Sequence, residues 1–133
     1  MTAVNFFPGR ISKTSTISKY LKIGDGNFIN KKSFIGTEVE IKNNNIINTG
    51  AVIEHQCKLG SNIHIGPKVI LGGHVEIGDN VLIGLGSKVI NKVRICKNCV
   101  VGAGSVVTKN LKKPGTYIGA PAKIIKKKTK KLI

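Results

Sequence analysis

An aliphatic residue returns at every sixth position from Ile11 to Val107 without a slip: Ile17, Ile23, Ile29, Ile35, Ile41, Ile47, Ile53, Leu59, Ile65, Leu71, Ile77, Ile83, Val89, Ile95 and Val101 lie between them. A helix repeats at about 3.6 residues and a plain strand at about 2, so neither produces a strict period of six. The period predicts a short strand and a turn stacked on copies of itself, an all-β parallel helix. With the aliphatic residue as position one, position two is Gly in eight of the seventeen hexads, Gly66, Gly84 and Gly102 among them. Glycine there either relieves a tight corner or lets a ligand approach the backbone. Position five is mostly small or apolar, as in Ser33, Ala51, Cys57, Ile63, Val69 and Cys99. Two inward positions per hexad thus fill a narrow prism. After Val107 the pattern stops, and Pro114, Gly115 and Pro121 mark loops. The organisation that follows is a lead-in over 1–10, a coil over 11–112, and an exit loop with a basic tail over 113–133.

Composition adjusts this picture in three places. At 133 residues the chain suits one domain, elongated because each repeat touches only its neighbours. No apolar run reaches the ~18 residues of a membrane span, and MTAVNFFPGR lacks the regions of a signal peptide, so the expectation is a cytoplasmic protein. Three cysteines agree with a reducing compartment; Cys96 and Cys99 form a C-x-x-C pair, yet Cys57 and Cys99 fall on the inward fifth position and read as core thiols. The net charge of +16 raises nucleic acid as a partner, but four Phe, two Tyr and no Trp offer few stacking platforms. Lysine-rich solvated faces account for most of the charge, with some left to attract the phosphates of a nucleotide or coenzyme. The tail from Lys126, KKKTKKLI, reads as solubilising.

The order aliphatic, Gly, two free residues, small, one free residue resembles the hexapeptide repeat of left-handed parallel β-helices, found in acyltransferases of sugars, sugar nucleotides and amino acids. The resemblance covers residues 11–123. It implies left-handed coils of three hexads, between five and six of them here, with residues eighteen apart stacked at the ~4.8 Å strand spacing. It also implies a homotrimer with active sites at the subunit junctions. In such a coil His74 stacks above Gln56 and beside His55, while Asn48, Gly66, Gly84 and Gly102 form one column. That column is either a smooth trough for a pantetheine arm or a consequence of Gly being common at position two.

The segments INTGAVIEHQC (Ile47 to Cys57), NIHIGP, GSVVTKNL and GTYIGAPAK resemble the branch that contains sialic-acid O-acetyltransferases and N-acetyltransferases of nucleotide-linked 4-amino sugars. By that resemblance His55 is the general base, flanked by Glu54 and Gln56, and His64 lies by the acetyl-CoA thioester. Gly66, Gly84, Gly102, Ala103 and Lys123 match the coenzyme groove, and Asn48 and His74 fall on the acceptor side. The implied function is acetyl-CoA-dependent N-acetylation of a nucleotide-linked amino sugar for glycan synthesis, with sugar or sialic-acid O-acetylation as the alternative and no metal. Two departures stand out. The branch has Asp or Glu after the catalytic His, where this chain has Gln56; a carboxylate there both orients the imidazole and stabilises its protonated form, so Gln56→Glu is expected to speed the enzyme. Relatives often carry an N-terminal nucleotide-binding domain, so a separate sugar-nucleotide-binding chain is an expected partner. Two rivals are weighed: a γ-class carbonic anhydrase, whose histidine spacing differs from the intervals of nine and ten here, and a non-catalytic β-helix subunit.

Overall fold

The computed structural model describes residues 9–125. The lead-in before Gly9 and the basic tail from Lys126, with its expected solubilising role, lie outside the described residues. Every element among the described residues is a β-strand, most of them two residues long. The strands stack into three parallel sheets that form the faces of a left-handed β-helix of about six turns. The outward residues of the first face include Phe28, Ile46, His64, Leu82 and Val100; of the second, Phe34, Val52, Ile70, Lys88 and Val106; of the third, Lys22, Glu40, Lys58, Glu76 and Arg94. Register is eighteen residues per coil as far as Val107, as in His64 with Leu82 and Glu76 with Arg94.

Position one points inward and is sealed: Ile35, Ile47, Ile53, Ile65, Leu71 and Ile83 have no exposed surface. Burying each such side chain contributes roughly 1.5–3 kcal/mol before conformational entropy is subtracted. Position five completes the core with Val39, Ala51, Cys57, Ile63, Val69 and Val75. In the first coil Ile11 and Ile17 remain 45% and 36% exposed.

Between Ile17 and Val101 each corner turns on one residue in the left-handed backbone region. After the second face these are Glu38, Gln56, His74 and Lys92, at φ of 57° to 67°; after the third face they are Asn44, Asn62, Asn80 and Asn98. Asparagine tolerates that conformation best among residues with a side chain, which explains its recurrence at the third corner. The left-handed residue donates its N–H to the coil below, as Gln56 does to Thr37 O at 2.9 Å and His74 to His55 O at 3.0 Å. A side-chain ladder adds to the third corner: Asn45 Nδ2 donates to Gly60 O, and Asn45 Oδ1 accepts from Ile63 N at 2.8 Å.

Stacking outlasts the hexads. Leu111 bridges Ile95 and Tyr117 pairs with Val101, both sixteen residues on instead of eighteen. Two fewer residues in this coil put Lys113 where the hexad would demand an aliphatic side chain, so the hydrophobic period vanishes although the pairing continues through Gly115–Gly119. The strand Ala122–Ile124 then folds back antiparallel on the end of that strand.

Candidate active site

The corner that follows the second face carries Glu54, His55 and Gln56 between inward Ile53 and inward Cys57. Alternation leaves His55 exposed, and the left-handed turn at Gln56 swings the glutamine side chain back beside it. Gln56 Oε1 lies 2.7 Å from His55 Nδ1. With the amide oxygen on this side, which only accepts, a neutral His55 ring donates from Nδ1 and keeps its lone pair on Nε2. The other end of the amide donates to Glu38 Oε1 at 3.2 Å, from the coil below. Above, the imidazole lies over Gly73, where an added Cβ would come within 2.6 Å of Cε1 and Nε2. The His74 ring meets that of His55 edge-on, centroids 5.3 Å apart and planes at 88°. A cavity of about 540 Å3 opens beside this column along the third face, bordered by Tyr20, Glu38, Gln56 and His74.

The other residues singled out from the sequence do not gather here within one chain. Glu54 is half-buried, holds the coil through its N–H to Leu71 O at 3.0 Å, and lies close enough to Cys57 to act on its thiol electrostatically. His64 points outward from the first face, half-buried between Ile46 and Leu82. Asn48, Gly66, Gly84 and Gly102 do form one column, but at the corner between the first and second faces. Its glycines have a packing reason: a Cβ at Gly66 would meet Leu85 N at 2.8 Å and one at Gly84 would meet Ala103 N at 2.5 Å. Asn48 Oδ1 is engaged by Asn30 Nδ2 at 3.0 Å and by Thr49 N at 2.8 Å. Ala103 is exposed on that same corner, and Lys123 is exposed on the folded-back strand. Glu38 is the site residue that sequence reasoning missed. Its signal was present, because it stands eighteen residues before Gln56 in the column that also holds His74.

The thiols are built for packing. Burial pushes Cys57 up to about 11, and burial together with the neighbouring Cys96 pushes Cys99 up to about 12, both far from thiolate at neutral pH. Among the described residues no three His, Cys, Asp or Glu side chains converge as a metal site. The three histidines divide between the first face, which carries His64, and the corner after the second, which carries His55 and His74. No helix among the described residues is long and apolar enough to cross a membrane.

The family model for the hexapeptide repeat of succinyl-transferase matches residues 74–109. Among solved structures, a mutant GDP-perosamine N-acetyltransferase from Caulobacter crescentus, in complex with CoA and GDP-perosamine, is 35% identical, with a TM-score of 0.89 over 91% of this chain and 58% of that one. The chain is a hexapeptide-repeat left-handed β-helix, similar to acyltransferases of nucleotide-linked amino sugars. The acetyltransferase domain of PglB from Neisseria gonorrhoeae, in complex with acetyl coenzyme A, is 29% identical, with a TM-score of 0.87 over 90% of this chain and 58% of that one. WeeI from Acinetobacter baumannii is 26% identical, with a TM-score of 0.83 over 86% and 56%. The hexapeptide-repeat chain therefore spans less than three fifths of the length of these relatives. No curated protein matches it. The family model begins at His74, so it covers two coils above His55 and does not reach His55 itself.

Proposed function

We propose that this β-helix is the catalytic part of an acetyltransferase that moves an acetyl group from acetyl-CoA to the amine of a nucleotide-linked amino sugar. The observation that carries the reading is the His55–Gln56 contact, which leaves an exposed imidazole with its lone pair on Nε2, in a fold shared with N-acetyltransferases that bind CoA. His55 Nε2 accepts the amine proton as the nitrogen attacks the thioester carbonyl; a C–N bond forms, the C–S bond breaks, and His55 returns the proton to the departing thiolate. A neutral imidazole suits this step near pH 7. His64 stabilises the negative charge that develops on the carbonyl oxygen, a role typically worth ~3 kcal/mol per donor. The net charge of +16 suits the phosphates of both substrates.

His55 and His64 stand on different parts of one prism, so the site needs a second copy of the chain. The outward stripes favour a homotrimer in which the first face of one copy packs on the second face of the next. Phe28, Ile46, Leu82 and Val100 then meet Phe34, Val52, Ile70 and Val106, while the charged third face stays in solvent.

Thiol release from acetyl-CoA, measured against a panel of GDP-, UDP- and dTDP-linked 4-amino sugars, free amino sugars and sialic acid, tests the reading. Release is expected with one nucleotide-linked amine and is expected to vanish in His55→Ala with coenzyme binding kept. Release with sialic acid alone would transfer the reading to O-acetylation. Coenzyme binding without turnover on any acceptor would call for a companion chain, and no binding at all would leave a non-catalytic subunit.

A further inference from the structure

Gln56 presents a problem of orientation that a carboxylate would not have. Its amide has two ends of nearly the same shape and opposite hydrogen-bonding character. With Oε1 toward His55, Nδ1 must donate and Nε2 is the free base. With the amide turned over, Nε2 of Gln56 would donate to Nδ1 of His55, the imidazole proton would move to its own Nε2, and the ring would face the acceptor with an N–H. Nothing in the His55–Gln56 pair itself selects between the two.

The coil below supplies the selection. Glu38 stands eighteen residues before Gln56, and its Oε1 lies 3.2 Å from Gln56 Nε2. A carboxylate accepts and does not donate, so the NH2 end of the amide must face Glu38 and the oxygen must face His55, 2.7 Å from Nδ1. Both residues turn in the left-handed region at φ 57°, which aims their side chains along the same edge of the prism. Gly73 leaves room for the imidazole above, so the ring is held from below by a hydrogen-bonded chain and from above by contact.

We infer that Glu38 is a positioning residue for His55: acting through Gln56, it sets the amide orientation and with it the imidazole tautomer that has its lone pair on Nε2. The chain thereby places its acid one coil below the base instead of beside it. This inference rests on the acetyltransferase reading for its catalytic consequence, but the tautomer itself does not.

It also changes the expectation for Gln56→Glu. In the native background the new carboxylate would sit against Glu38, and like charges at that distance oppose each other. The rate increase expected from a carboxylate at 56 should therefore appear only when Glu38 is neutralised as well.

The test is a cycle of Glu38→Gln, Gln56→Glu and the double variant, read by 15N NMR of the His55 ring above its titration range and by steady-state kinetics. Glutamine keeps the shape of Glu38 but satisfies either amide orientation, so it removes the selection without removing volume. The His55 ring is expected to be the Nδ1–H tautomer in the native protein and a mixture in Glu38→Gln. Turnover in Glu38→Gln should fall about tenfold with KM for both substrates unchanged, a fraction of what a general base contributes. In the Gln56→Glu background the same Glu38→Gln change should raise turnover or leave it level. An Nε2–H ring in the native protein, or an unaltered ring in Glu38→Gln, would overturn the inference, as would an equal loss of turnover in both backgrounds. If the ring responds as expected while no acceptor is turned over, the positioning role stands and the proposed reaction is what fails.

Discussion

Two glycines of this chain look alike in sequence and differ in what surrounds them. A Cβ on Gly73 would press on the far end of the His55 side chain, which can rotate away, whereas a Cβ on Gly84 would press on the backbone of Ala103 in the next coil, which cannot. Gly73→Ala should therefore unfold at nearly the native temperature but lose about tenfold or more in turnover, since a small misplacement of a base is costly. Gly84→Ala should lower stability by roughly 1–3 kcal/mol, the usual cost of overpacking, and thermal denaturation of the two variants side by side separates the cases. Equal loss of stability in both would mean that Gly73 is as tightly stacked as Gly84. At this scale the sequence yielded His55 as an exposed residue beside Gln56, because position in the hexad decides which way a side chain points. It did not yield Glu38, because a spacing of eighteen places that residue below Gln56 without saying that the two side chains bond.

At the scale of the strand and its corner, stability depends on how each turn satisfies its buried amide groups. The first corner closes with backbone bonds of its own, such as Val69 N to Gly66 O at 3.3 Å and Ser87 N to Gly84 O at 3.2 Å. The third corner instead relies on Asn27 and Asn45, which are 2% and 0% exposed and hand hydrogen bonds from coil to coil. Asn45→Ala would leave the buried Ile63 N and the half-buried Gly60 O without those partners, which should cost about 1–3 kcal/mol, mostly from Ile63 N. A denaturant midpoint unchanged from the native protein would show that water takes over both bonds. The sixteen-residue final coil belongs to this scale too. Its strand Gly115–Gly119 falls where the lapsed aliphatic period predicts an exit loop, and only pairing with Cys99–Val101 reveals it.

For the whole molecule, the three faces differ in what they offer. The third presents Lys22, Glu40, Lys58, Glu76 and Arg94 in alternating charge, with one ion pair at 3.7 Å between Arg94 and Glu76. Such a ladder is satisfied in water and gains little from being covered. The first and second faces expose Ile46 and Ile70 at 38% each. Ile70→Glu, on the second face, should convert a trimer to monomer in sedimentation and abolish turnover, while Lys58→Glu on the third face should leave assembly intact. An active Ile70→Glu monomer would refute the shared site.

The strict period of six determined, by itself, which residues are inward and which elements repeat, because a stacked helix transmits one local rule along its whole length. The same rule is silent on what happens around the prism. Only the tertiary structure decided that His55 sits at a corner and His64 on a face away from it, that the glycine column sits at another corner and is demanded by the coil above it, and that Glu38 reaches Gln56. Those outcomes depend on the left-handed corner residues and on contacts between coils: a spacing of eighteen says which residues stack, but not which way their side chains turn or what they bond.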